Sequence, residues 1–343
     1  MLDSEHALQE HIDRRRWKRA QRELLRLIDT GGLDVSQYTV WGQYACQIDQ
    51  AFGRDWERRE AFWKALRQSI AEAETRRNVR THKGLIYFRI GTIGLFSGRT
   101  FRTVMIWLRR AYEEDRRFYR DPKRKSAYRM LVIVKAFDRF CRKIRNPNMR
   151  PVVSKVISTH RARIGRLIGA VYDKTLMGPP VLRGLNWGPF DRLLGRNQYR
   201  ALVEQSYRGA EWLCDHRIEI ERTNLEKYGI AQAILVLCGT TIEGVLLDKP
   251  AVRRRVRLRG GGGNKYTLGA LVGAYLGTLS GSAELTAGLI FLWFARDSIH
   301  PEVGKRSMDD VIDMNFADFT WTLTGAMVAR MAKRTRQRRR VQV

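Results

Sequence analysis

Between residues 266 and 295 this chain carries a single charged side chain, Glu284, and so long an apolar stretch belongs either in a bilayer or in a protein core. Gly277, Ser280, Gly281 and Ser282 interrupt its middle. Each half is then too short to cross a bilayer by itself, so the pattern predicts two apolar helices folded as a buried hairpin, with membrane insertion the rejected alternative.

Elsewhere the apolar residues recur with the helical period. Trp17, Ala20, Leu24, Leu25 and Ile28 form one stripe, and Thr30-Gly31-Gly32 stops it. Further helices are expected at about residues 38–52 and 56–73, separated by the turn Gly53-Arg54-Asp55. The second half repeats the theme with a long helix over residues 210–247, in which Asn224 and Gly229 are the candidate breaks. Short helices follow at 267–276 and 282–299, and a last helix is opened by Ser307 with Asp310 in the capping-box place. The expected fold is all-α. Helical hairpins occupy residues 1–150, a helical linker region 151–209, a four-helix up-down bundle 210–332 and a basic tail 333–343.

Charge sets the class of partner. The 343 residues include 64 Lys and Arg against 35 Asp and Glu, a formal net charge of +29 that attracts polyanions strongly. Nucleic acid is the expected partner class, because the basic residues spread along the chain instead of clustering beside one apolar span; a solvated basic surface and an anionic membrane are the alternatives. Residues 116–150 interleave such cations with Phe118, Tyr119, Tyr128, Phe137 and Phe140, a composition that suits base stacking or, equally, the buried face of a charged helix. The run Met130-Leu131-Val132-Ile133-Val134 favours the buried face.

Cys46, Cys141, Cys214 and Cys238 show no paired spacing, and the N-terminal residues lack the apolar core of a signal peptide. A reduced, cytoplasmic setting is expected, with no metal site and no cofactor.

Residues 250–265 read as a basic loop that contacts RNA through Arg253, Arg254, Arg255, Arg257, Arg259 and Lys265, and a solvated connector is the alternative. Its four successive glycines, Gly260 to Gly263, lack the Gly-Lys-Ser/Thr ending and the preceding strand of a phosphate-binding loop. Arg334, Arg336, Arg338, Arg339 and Arg340 make the end of the chain a second basic segment, read as a disordered tail.

The chemistry-bearing constellation is Arg296-Asp297-Ser298-Ile299-His300-Pro301, at the end of the apolar stretch. A guanidinium is a permanent fork for phosphate oxygens, and an imidazole moves protons near neutral pH. Together they suit cleavage of RNA without a metal. The plainer reading makes Arg296 a solvated helix-end cation and His300 a cap.

Two resemblances sharpen these readings. Residues 84–115 resemble a tetratricopeptide helix pair, with Gly91, Gly98, Val104 and Ala111 in the small or apolar places, and a generic helical hairpin is the alternative. Residues 210–332 resemble a HEPN domain, carried by Glu243 late in the first long helix, Arg296 followed by the polar Asp297, and His300 beyond them. The interval between Arg296 and His300 is shorter than that family's usual one.

The HEPN resemblance implies attack of a ribose 2′-hydroxyl on the adjacent phosphate. His300 would act as general acid or base, Arg296 would stabilise the transition state, and Asp297 and Glu243 would orient them. It also implies a homodimer through the bundle, a toxin or antiviral defence role, and a protein partner on the N-terminal hairpins. Some members of that family bind RNA without cleaving it.

Overall fold

The structure is a computed structural model that describes residues 2–144, 150–172, 194, 199–216, 224–259, 267–276, 283–299 and 312–341. Among these residues the chain is all-α, with fourteen α-helices and no strand. It divides into two compact units: described residues up to Val134 form the first and those from Lys135 onward the second. The division falls within one helix.

The first unit contains α1 (Leu2–Asp13), α2 (Trp17–Thr30), α3 (Tyr38–Ala51), α4 (Trp56–Arg77), α5 (Gly84–Ser97), α6 (Phe101–Phe118) and the start of α7 (Ser126–Lys143). Local chemistry places most of these ends. Gly31 and Gly98 adopt left-handed backbone, φ 90° and 81°, and close α2 and α5. Asp55 and Thr100 open α4 and α6 by accepting from the backbone N–H groups of Arg58 and Thr103.

Of the stripe foreseen on α2, Ala20, Leu24 and Ile28 are buried and Trp17 and Leu25 half-buried, with Leu27 buried beside them, against α1, α3 and α4. Helices α5 and α6 pack along each other because Gly91 and Gly94 leave room for Leu108 and Val104; a Cβ at Gly91 would lie 3.0 Å from Leu108. Although α3 and α4 are adjacent in sequence, α4 lies mainly against α2 and α5. A buried ion pair between Asp49 and Arg59 ties α3 to α4.

The segment between α4 and α5 is fastened by polar contacts. Glu74 accepts from the Thr81 backbone N–H at 2.8 Å and from Lys83 Nζ at 2.5 Å. His82, ringed by Tyr38, Phe118 and Tyr119, meets Asp115 at 2.8 Å. The acidic run at the end of α6 is therefore partly interior, with Glu114 and Asp115 buried.

The second unit holds the rest of α7, α8 (Arg150–Tyr172), α9 (Tyr199–Asp215), α10 (Asn224–Leu247), α11 (Pro250–Arg259), α12 (Leu268–Leu276), α13 (Ala283–Asp297) and α14 (Met314–Val341). The apolar stretch of residues 266–295 supplies α12 and most of α13, both largely buried, with residues 285–295 continuously interior and Glu284 exposed. Phe294 meets Phe137, Phe140, Phe291 and Phe316 in one aromatic core. The rings of Phe137 and Phe140 thus take the buried-face role.

Several expectations are corrected here. Of the two breaks foreseen in residues 210–247, Asn224 is where α10 begins; α9 starts earlier than expected, at Tyr199, and the two helices lie side by side, with Val203 against Gly244 and Leu237 against Gly209, an antiparallel pairing. Helix α9 is apolar along one flank and α10 nearly all round, and folding back lets α10 cover the flank of α9. The region read as a linker contains α8 and α9, which pack against α13 and α10 respectively.

The reading of residues 250–265 as a loop is overturned for 250–259, which form α11. Pro250 suits a first helical turn, arginine is a strong helix former, and Val252 and Val256, one turn apart, are buried. The tail is likewise helical to Val341, since Lys, Arg and Gln continue α14 without a breaker.

Among the described residues, the helical segment Lys227–Leu247 within α10 is long and apolar enough to cross a membrane, and 61% of its most apolar window is buried in the fold. That burial is what a core helix shows.

Candidate functional site

Three of the residues singled out in sequence come together in the second unit. Glu243 stands on α10, while Arg296 and Asp297 form the last turn of α13. Ser298 satisfies carbonyls at the end of α13: its backbone N–H donates to the Phe294 carbonyl at 2.9 Å, the ordinary helical bond, and its hydroxyl to the Ala295 carbonyl at 2.7 Å.

The Arg296 side chain lies across Gly239. A Cβ at that glycine would stand 2.6 Å from Cδ and 3.2 Å from Nε of Arg296. Gly239 and Glu243 are four residues apart, so α10 offers the arginine a bare backbone and a carboxylate on one face. The glycine is the part of this arrangement that the sequence reading missed. Its signal was the one-turn spacing ahead of Glu243.

The electrostatics follow from half-burial. Desolvation pushes the Glu243 carboxyl above its ordinary range; Arg296 and a hydrogen bond from the Leu268 backbone N–H pull it down, and Asp297 pushes it up again. Burial is the largest cause and the net direction is upward. Leu268 is the first residue of α12, so the carboxylate also faces the N-terminal end of that helix. The result is a compact group of one guanidinium, two carboxyls and a backbone donor, drawn from three helices.

His300 lies outside the described residues, as does Lys265. Arg253, Arg254 and Arg255 sit on α11, Arg254 exposed and the other two half-buried. Arg257 and Arg259 belong to the same helix. Helix α11 packs on α12, so these arginines are mounted on a rigid element and not on a loop. Among the described residues no three His, Cys, Asp or Glu side chains cluster closely enough to hold a metal ion.

No protein-family model matches this chain, and no curated protein or solved structure matches it.

Proposed function

We propose that this protein is a HEPN-like ribonuclease that cleaves RNA without a metal, acting in a toxin or antiviral defence role in the cytoplasm. The observation that supports it is the convergence of Arg296, Asp297 and Glu243 at the end of α13. A permanently charged fork held there suits the negative charge that develops on phosphorus during attack by a 2′-hydroxyl. His300, three residues beyond Asp297, is the proton-transfer group of this reading. Glu243 and Asp297 orient the arginine, and burial raises the Glu243 carboxyl above its ordinary range. In this proposal the second unit pairs with a second copy of the chain so that two Arg/His sets share one cleft, and the α5–α6 pair is tetratricopeptide-like and receives a protein partner.

The test is RNA cleavage in EDTA by the full chain and by Arg296→Ala and His300→Ala. Cleavage by the unaltered chain that both substitutions abolish, with unfolding temperatures retained, is the expected result. Undiminished cleavage by either variant would remove the proposal.

A second reading has its own observation. Arg296 is half-buried, pressed on Gly239 and close to two carboxyls, which is also how a structural arginine is held. In that case the domain binds RNA without cutting it. Salt-sensitive binding with no cleavage by the unaltered chain would select this reading.

A further inference from the structure

We infer that the first unit carries a separate anchoring site for the phosphate backbone of single-stranded RNA, a cation-lined depression at the junction of α1 and α2. A concavity of about 510 Å³ is bounded there by Arg15, Arg16, Trp17, Lys18, Arg19 and Arg58. Five of the six are cations and none is an acid. Arg15 turns the chain between the two helices with φ 54°, Arg16 is the residue before α2, and Lys18 and Arg19 stand in its first turn. Arg58 reaches the same place from α4 and is held over the Phe52 ring at 3.9 Å.

Most of the neighbouring carboxylates are engaged elsewhere; Glu57, beside Arg58 in the first turn of α4, is exposed and forms no ion pair among the described residues. Glu10 pairs with Arg14 at 2.8 Å, Asp13 accepts from Gln9 at 2.7 Å, Glu23 pairs with Arg26 at 2.6 Å, and Asp55 caps α4. Among the described residues none of the five cations forms an ion pair. Gathering unneutralised cations raises the energy of the bound-ligand-free protein, and a polyanion relieves it.

The first turn of α2 contains no acid and receives no side-chain cap, so its backbone N–H groups add to the same field. That helix end is secondary. The acid-free set of cations contributed by two separate parts of the chain carries the assignment.

The shape chooses among phosphate ligands. Arg15, Arg16, Lys18 and Arg19 are all exposed, so the depression is open along one side and suits a strand passing over it better than a small molecule enclosed by it. The inference rests on the proposed function only for the identity of the strand. It concerns binding, and the C-terminal chemistry is not involved.

The experiment is fluorescence anisotropy of a labelled, mixed-sequence single-stranded oligoribonucleotide titrated with the full chain over a range of KCl concentrations. Each phosphate contact to a single strand contributes about 0.7 to the slope of log affinity against log salt, so the double variant Arg16→Ala/Arg19→Ala should lower that slope by about 1.4 and weaken binding on the order of ten-fold near 0.1 M salt. The control is Arg102→Ala/Arg109→Ala, which removes the same charge from exposed positions of α6. It should leave the slope unchanged.

Equal losses in the two double variants, or none in the first, would overturn the site. Tight binding of ATP that competes with no RNA would assign the depression to a small polyphosphate and overturn the RNA assignment. Thermal melts keep folding in view: removing cations from a helix N-terminus should leave the unfolding temperature unchanged or raise it. If the pocket variant loses binding while the unaltered chain cleaves nothing, this inference stands and the nuclease proposal falls; cleavage with a pocket that does not matter gives the reverse.

Discussion

Cutting the Asp49–Arg59 pair should destabilise the first unit more than any surface change, whereas replacing both partners should cost far less. Arg59 Nε donates to one carboxylate oxygen of Asp49 at 2.7 Å and Nη2 to the other at 2.6 Å, while Nη1 donates to the Gly53 carbonyl at 2.9 Å. The two side chains are 2% and 1% exposed. Water therefore cannot replace a lost partner. Arg59→Ala strands a buried carboxylate, for which about 3–5 kcal/mol is the expected loss.

For a unit of this size such a loss corresponds to roughly 10–20 °C in its unfolding temperature. Asp49→Leu/Arg59→Leu removes both charges together, and with them the desolvation each charge requires. Its cost should fall well below the sum of Arg59→Ala and Asp49→Ala, within about 2 kcal/mol of the unaltered chain. Denaturant unfolding followed by tryptophan fluorescence measures all four proteins, with Trp41, Trp56 and Trp63 as reporters on α3 and α4. A loss under about 1 kcal/mol for Arg59→Ala, or a double variant as unstable as the sum of the singles, would refute this reasoning.

Other perturbations probe the second unit. Gly239→Ala places a methyl group within 2.6 Å of the Arg296 side chain, so the guanidinium must shift, and cleavage should drop by about 10²-fold if that arginine serves the reaction; unchanged cleavage would detach the glycine from the site. Phe294→Ala empties the centre of the aromatic core, where Phe294 is fully buried, and should cost about 3–5 kcal/mol by denaturant titration; a loss under about 1 kcal/mol would mean that the site collapses freely.

Glu243 sets a pH dependence. Its folded carboxyl lies above the ordinary 4.5, so below that value both states hold the proton; as pH rises through 4.5 the unfolded chain releases it first, and stability falls until the raised folded value is passed. Glu243→Gln should flatten that decline in melts run from about pH 4 to about pH 7, and an undiminished slope would assign the decline to other groups.

The sequence was legible wherever a feature depends on neighbours within a turn or two. The stripe on α2, its stop at Gly31 and the division between α3 and α4 at Gly53-Arg54-Asp55 all stand in the structure as periodicity and capping require. Two helices within residues 266–295 were legible for the same reason. In α11 the pattern was present too, as Val252 and Val256 at helical spacing, but the density of arginine drew attention to charge and hid it.

The candidate site was half legible. Arg296 was named from residue type and spacing, and Asp297 and Glu243 from the HEPN resemblance, yet Gly239 and the Leu268 N–H were not, because a glycine and a backbone amide carry no chemical label until something lies against them.

From its order of residues alone this chain was bound to be helical and polycationic, because helix period, caps and net charge are sums over local sequence. Tertiary structure decided which helices became neighbours: that α9 folds back on α10, that α8 covers α13, and that a glutamate and an arginine 53 positions apart share one half-buried neighbourhood. The physical reason is that an apolar flank is satisfied by any complementary flank of fitting shape. Only the packing of the whole unit selects which partner buries it, and with that choice comes the loss of water that shifts the proton affinity of Glu243.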